Sequence, residues 1–275
     1  MDKHIADFDS GEAYLDLLKK ALTRTGFDDC FGTVPRNTRT LFRAMRWRTF
    51  RAATMLLGLA NLEIVSRVGR VGESMMGLGA MNNLHSCIKQ VFDDNVPGDL
   101  CETGIWRGGG CIFMAAAAKV YRQGDRKIWC CDSFEGLPKP NSELYPADAG
   151  DELWKQELGV SVEEVKANFE KYNLLDENVR FLKGFFSDTM PTAPIERLAV
   201  LRLDGDMYES TIVVLDNLYE KIYPGGFVIF DDYGMIEGCD KAVHDFRNRM
   251  RIEEPLEIIG YVNGKPLGAF WRKRG

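Results

Sequence analysis

The chain lacks any cysteine pattern that would build a disulfide or zinc framework. Its cysteines (Cys30, Cys87, Cys101, Cys111, Cys130, Cys131 and Cys239) are scattered, with no CxxC pair and no Cys/His cluster. Cys101, Cys130 and Cys131 sit inside apolar strand-like runs, where a free thiol behaves as a small hydrophobe. A reducing, cytoplasmic setting is the expectation. Positive charge is in deficit. With 35 Lys and Arg against 41 Asp and Glu, the formal charge is -6, which argues against nucleic acid as the main partner. Long apolar runs are missing too: the stretch from Met55 to Ala60 is far too short to span a bilayer, so no membrane partner is expected. Met1 to Ile5 lacks the apolar core of a signal peptide. There is no internal repeat and no low-complexity tract. What remains is a chain of ordinary apolar content, long enough for one large α/β domain or a domain with an appendage.

What is present is organised around residues 198–211, LAVLRLDGDMYEST, a short apolar strand that stops at two carboxylates separated by one glycine. Residues 226–233, GFVIFDDY, repeat the idea. Apolar runs of this length, bounded by Gly and acids and separated by a helical pattern, read as buried parallel strands. Ligands of open α/β sheets sit outside the carboxyl ends of such strands. A single aspartate there reads as a helix cap or a solvated acid. Two pairs at two strand ends concentrate negative charge that calls for a cation, because close unpaired carboxylates are costly.

The chain divides at Pro97-Gly98. Before it the pattern is helical. Residues 11–25 carry an apolar face (Tyr14, Leu15, Leu18, Leu22) opposite Lys19, Lys20 and Arg24, with Gly26 as the stop. In residues 36–51, Arg36, Arg39, Arg43, Arg46, Arg48 and Arg51 interleave with Leu41, Phe42, Trp47 and Phe50: a charged helix face with an apolar back, or else a cover over a site. Met81, Leu84, His85, Ile88, Val91 and Phe92 fall at helical spacing, which makes His85 a packed residue. After Pro97 strands and helices alternate. Strands are expected at 99–103, 128–132, 179–182, 198–203 and 226–230, and helices at 108–121, after the capping box Ser161-Val162-Glu163-Glu164, at 211–223 and at 241–250. His244 falls in the last helix and reads as structural. Runs 256–262 and 268–272, joined through Asn263-Gly264, read as a hairpin. The expected fold is α/β: a doubly wound, Rossmann-like sheet with a C-terminal antiparallel β-hairpin, preceded over residues 1–96 by an N-terminal helical extension.

The first strand end, Glu102-Thr103-Gly104-Ile105-Trp106-Arg107-Gly108-Gly109-Gly110, brings glycines to a helix N-terminus, where backbone can approach a ligand. Asp132, at the tip of the second strand, is placed to take ribose hydroxyls. The alternative is a tight turn and a capping Asp. The turn is not G-x-G-x-x-G, so a dinucleotide is disfavoured. Glu102 would repel a pyrophosphate but can pair with an ammonium group. An adenosine carrying an amino acid satisfies both, which points to S-adenosylmethionine.

The segments DLCETGIWRGGG (99–110), DSFEG (132–136), LDGDMYEST (203–211) and GFVIFDDY (226–233) also resemble the macrocin O-methyltransferase family, from about Tyr14 to Trp271. Members methylate sugar hydroxyls of macrolide and aminocoumarin antibiotics. The resemblance implies a class I methyltransferase core at 97–275 and a lid within 1–96. It implies S-adenosylmethionine and Mg²⁺ as cofactors, a small glycoside acceptor and a homo-oligomer, dimer or tetramer. By motif, Asp204, Asp231 and Asp232 would ligate Mg²⁺ and Asp206 would be the general base. Met75 would lie near the methionine end, Glu102, Thr103 and Gly104 at its amino group, and Asp132 with Ser133 at the ribose. Phe185 and Phe186 follow the third strand and are placed to line the adenine. The match is weakest over 36–51 and 139–158, the stretches expected to choose the acceptor. A catechol-type methyltransferase shares the metal logic. A phosphotransferase or glycosyltransferase using Asp204-Gly205-Asp206 as a D-x-D leaves Glu102 and Asp231-Asp232 unexplained, and a non-enzymatic module would bind the cofactor without turnover.

Overall fold

A computed structural model describes residues 9–25, 72–262 and 264–275. The arginine-rich stretch 36–51 and Cys30 lie outside the described residues. Period-two burial explains the centre of the molecule. Strands β1 (Asp99–Thr103), β2 (Ile128–Asp132), β3 (Val179–Lys183), β4 (Leu198–Leu203) and β5 (Ile222–Phe230) pair in parallel in the order β3-β2-β1-β4-β5. Every residue of β4 is buried, as a strand covered on both faces requires. Leu100, Val200, Phe227 and Ile229 face one side, whereas Cys101, Leu201, Leu203 and Val228 face the other.

Helices α1 (Ser10–Thr23), α2 (Leu78–Asp93), α3 (Gly109–Val120) and α4 (Val162–Lys171) cover the first face. Helices α5 (Tyr208–Leu218) and α6 (Glu237–Met250) cover the second. Thus α1 and α2, the described part of the N-terminal extension, share one hydrophobic cluster with the sheet. Asp9 starts α1 by accepting from Gly11 N (2.8 Å) and Glu12 N (3.2 Å), and Arg24 ends it at φ 55°, two residues before the expected glycine stop. Ser161 caps α4 as expected, through Glu164 N at 3.1 Å. The reciprocal half of the box does not form, because the Glu164 carboxylate pairs with Arg107 at 3.4 Å.

Two expected boundaries move. The helix expected at 211–223 begins at Tyr208 and ends at Leu218. Pro224-Gly225-Gly226 is then a bulge inside β5, where pairing with β4 jumps from Leu198↔Ile222 to Val200↔Phe227. The terminal hairpin forms. Its arms are β6 (Glu257–Ile258) with β7 (Tyr261–Val262), and β8 (Lys265–Pro266) with β9 (Ala269–Arg272). Strand β9 inserts antiparallel between β5 and β6, giving a seven-stranded sheet of order β3-β2-β1-β4-β5-β9-β6. Consecutive connections leave in opposite directions from β1 and β4. That is the switch point where open sheets bind ligands, and the expected residues cluster at it.

Candidate active site

The register of β1, β4 and β5 decides which side chains meet. Arg202 lies opposite Glu102 on one side and Ile229 on the other. Two residues further along, on the same face, come Asp204 and Asp231. Arg202 is 2% exposed and reaches all three acids: Glu102 Oε1 at 2.5 Å, Asp204 Oδ2 at 3.0 Å, and Asp231 Oδ1. This buried arginine, not singled out above, supplies part of the cation the acids demand. One guanidinium cannot balance five carboxylates. Burial, then the Asp231 charge, hold Asp204 well above the usual carboxylate range despite Arg202. Burial with the charges of Asp206 and Asp231 raises Asp232 to about 8, and burial with Asp231 and Asp151 raises Asp206 to about 6.

Asp204, Asp231 and Asp232 each offer an oxygen within 4.8 Å of the others. Backbone amides and Arg202 engage Asp204 Oδ2, Asp231 Oδ1 and Asp232 Oδ2. An all-oxygen set at strand tips fits a hard divalent ion that keeps several waters. Asp232 has a further task. Its Oδ2 accepts from Gly205 N (3.1 Å) and Asp206 N (2.8 Å), which holds the loop after β4. Asp206 is held there at φ 59°, a left-handed conformation that side chains adopt only under constraint. Trp106 (φ 48°) after β1 and Phe134 (φ 59°) after β2 share that strain, so three neighbouring strand tips carry it.

Beside the acids opens a cleft of about 620 Å³, including its mouth. Of the expected residues, Met75, Gly104, Asp132, Ser133, Phe185, Phe186, Asp204 and Asp206 line it. Met75 is 62% exposed at its edge. Asp132 accepts from Ile105 N (2.8 Å), Trp106 N (3.2 Å) and Phe134 N (2.7 Å), so it shapes both flanking turns while facing the cleft. Trp106, Leu137, Pro138 and Leu158 add an apolar wall that sequence reasoning missed, since nothing local distinguishes them from ordinary loop residues.

Glu102 and Thr103 are placed differently from these residues. They are 2% and 1% exposed, lie behind the cleft and do not line it. The Glu102 carboxylate is drawn to Arg202 and sits under the first turn of α3, where a Cβ on Gly110 would fall 2.3 Å from it. The glycine run also has a packing cause. A Cβ on Gly104 would lie 1.5 Å from the Asp204 carbonyl oxygen, so β1 and β4 tips touch only because it is glycine. A Cβ on Gly109 would meet the Glu73 carbonyl oxygen at 2.5 Å, where Gly109 N already donates to that oxygen. His85 is packed as expected, between Lys19 and Tyr121. His244 is not in the core. Its Nε2 lies 3.1 Å from the Tyr233 hydroxyl in an exposed pair.

With this geometry in view, the sequence matches the family model described as Macrocin-O-methyltransferase (TylF) over residues 11–273. The chain belongs to the macrocin O-methyltransferase family. It is 42% identical over 273 residues to the 8-demethyl-8-(2,3-dimethoxy-alpha-L-rhamnosyl)-tetracenomycin-C 4'-O-methyltransferase of Streptomyces olivaceus, covering 96% of this chain and 94% of the relative. It is 46% identical over 202 residues to the demethyldecarbamoylnovobiocin O-methyltransferase of Streptomyces niveus, covering 73% of this chain and 75% of that one. The solved structure of the O-methyltransferase NovP superposes with a TM-score of 0.78 at 39% identity, over 96% of this chain and 100% of NovP. The calicheamicin methyltransferase CalS11, at 20% identity and a TM-score of 0.53 over 95% of this chain and 91% of its own, shares the fold. The sheet is therefore that of a Rossmann-like methyltransferase with C-terminal antiparallel strands. Among the described residues no helix is long and apolar enough to cross a membrane.

Proposed function

We propose that this family member uses S-adenosylmethionine and a divalent cation, Mg²⁺ by donor type, to methylate a sugar hydroxyl of a glycosylated secondary metabolite. The observation that carries the proposal is the convergence of Asp204, Asp231 and Asp232 beside Asp206 at the lip of the cleft. The name of the tetracenomycin relative places its methylation at a 4'-O position of a rhamnosyl-bearing substrate, which motivates the acceptor class.

Asp204, Asp231 and Asp232 would hold the ion, whose Lewis acidity when bound lowers the pKa of a coordinated hydroxyl. S-adenosylmethionine supplies an electrophilic methyl group whose C–S electron pair stays on sulfur. Asp206 takes the proton from the acceptor hydroxyl, and burial, the largest cause raising its pKa, would make it a stronger base than an exposed carboxylate. Asp132 and Ser133 would orient the ribose. Trp106, Phe185 and Phe186 offer flat apolar surface for the adenine. Met75 at the rim closes over the amino-acid end and excludes water. The reading includes a homo-oligomer, which light scattering would check.

The test is methyl transfer to a panel of glycosides and catechols, read by mass spectrometry, for wild type and Asp206→Asn. We expect methylated glycoside only, with Asp206→Asn reducing kcat at least about 100-fold while acceptor KM changes little. Catechol methylation without glycoside methylation, or an unimpaired Asp206→Asn, contradicts the proposal.

A further inference from the structure

Helix α5 begins two residues after Asp206, and its own N-cap residue, Met207, offers no side-chain acceptor. The free amides are satisfied from elsewhere. Asp148, sixty positions earlier in the loop 139–158, accepts from Tyr208 N through Oδ1 (2.7 Å) and from Glu209 N through Oδ2 (2.9 Å). Asp148 is 2% exposed and, among the described residues, forms no ion pair, so these charge-assisted bonds offset the cost of burying it. The first turn of α6 closes the same junction. A Cβ on Gly238 would lie 2.9 Å from Tyr208 N and 3.1 Å from Asp148 Oδ1.

Asp206 is thus bracketed. On its N-terminal side Asp232 Oδ2 holds Gly205 N and Asp206 N. On its C-terminal side Asp148 holds Tyr208 N and Glu209 N. Between the two anchors the chain passes through the left-handed φ of 59°, which relaxes if either anchor is released.

We propose that Asp148 is a positioning residue for the methyl-transfer reaction: it fixes Asp206 by capping α5 from the loop 139–158. The inference rests on the reading of Asp206 as general base. It makes the seating of that loop a condition for a correctly aimed carboxylate, although Asp148 itself does not line the cleft.

The experiment compares Asp148→Asn, Gly238→Ala and Asp206→Asn with wild type, well below their melting temperatures. It measures kcat, acceptor KM, S-adenosylhomocysteine affinity and amide hydrogen exchange across residues 204–211. Asp148→Asn loses one acceptor, and Gly238→Ala wedges the cap apart while keeping the carboxylate, so the second variant carries the test if the first does not fold. We expect kcat to fall roughly 10- to 100-fold in both, as for a small misplacement of a reacting group. Acceptor KM and S-adenosylhomocysteine affinity should stay within about twofold, and exchange should quicken at 204–211. Unchanged kcat with quickened exchange overturns the proposal, as does a rise in acceptor KM alone. If Asp206→Asn retains full activity, the base assignment has failed instead, and the two failures are told apart.

Discussion

At the scale of single residues, the site turns on Arg202. It is fully buried and bonded to three carboxylates, so its removal leaves the buried Glu102 uncompensated and strips a cation from the partly exposed Asp204 and Asp231. Breaking a buried ion pair by deleting one partner costs about 3–5 kcal/mol, because the surviving charge is uncompensated. Arg202→Met should lose stability on that scale in urea unfolding. Saturating Mg²⁺ should raise the melting temperature of the variant more than that of wild type, since among the described residues no other cation pairs with these acids. Equal Mg²⁺ shifts in both proteins would show that Arg202 and the ion do not share the same acids. The motif LRLDGD displays the arginine openly, yet its role was not legible. An arginine in a buried strand has meaning only once the register sets Glu102 beside it and Asp231 ahead of it. Glu102 illustrates the converse. Its position at a strand tip suggested an ammonium partner; the cross-strand arginine engages Oε1, while Oε2 is buried with no hydrogen-bond partner among the described residues.

At the scale of elements, apolar periodicity was enough to read the five parallel strands, the helices between them and the terminal hairpin. It failed where glycine has two uses. Pro224-Gly225-Gly226 looked like a helix stop and is a strand bulge, where a Cβ on Gly226 would lie 2.7 Å from the Ala199 carbonyl oxygen, so glycine is what lets β5 pass. The contact between α1 and the core was legible as an apolar stripe but not as a polar network. Lys19 can only donate, so its 3.2 Å contact makes His85 Nδ1 an acceptor and puts the proton on Nε2, which donates to the Tyr121 oxygen at 2.7 Å. The Tyr121 hydroxyl then donates to Glu12 Oε1 at 2.6 Å. Burial, then the Lys19 charge, lower the His85 pKa below its usual 6.5, against the opposing pull of Glu12 and Asp16. The unfolded chain therefore binds the proton more readily than the native one. Stability from this residue is complete above 6.5 and declines as pH falls from there toward the lowered native value. His85→Gln should flatten the dependence of unfolding free energy on pH below about 6.5. An unaltered slope would place the acid sensitivity elsewhere. Helix α1 also accepts from Ser74 N through the Leu22 carbonyl (3.2 Å), next to Met75 at the cleft, so its docking bears on the cleft edge.

At the scale of the whole molecule, the strand order brings together acids that are distant in sequence. The opposite departures of β1 and β4 open the cleft, and β5, locked on its outer side by β9, delivers Asp231-Asp232 to the same end. Sequence motifs located the acids at strand tips. They did not reveal the apolar wall from Trp106, Leu137, Pro138 and Leu158, which is assembled from separate loops, nor Asp148, whose function exists only through a helix sixty residues away. The account depends on the claim that three of these acids hold a divalent ion. Its most direct test is Mn²⁺ binding by electron paramagnetic resonance to wild type and Asp204→Asn, with S-adenosylhomocysteine affinity measured in parallel. We predict one Mn²⁺ site in wild type, weakened at least about 10-fold by the loss of one carboxylate charge, with S-adenosylhomocysteine affinity retained. Mn²⁺ binding of equal strength in Asp204→Asn, or none in wild type, would contradict it.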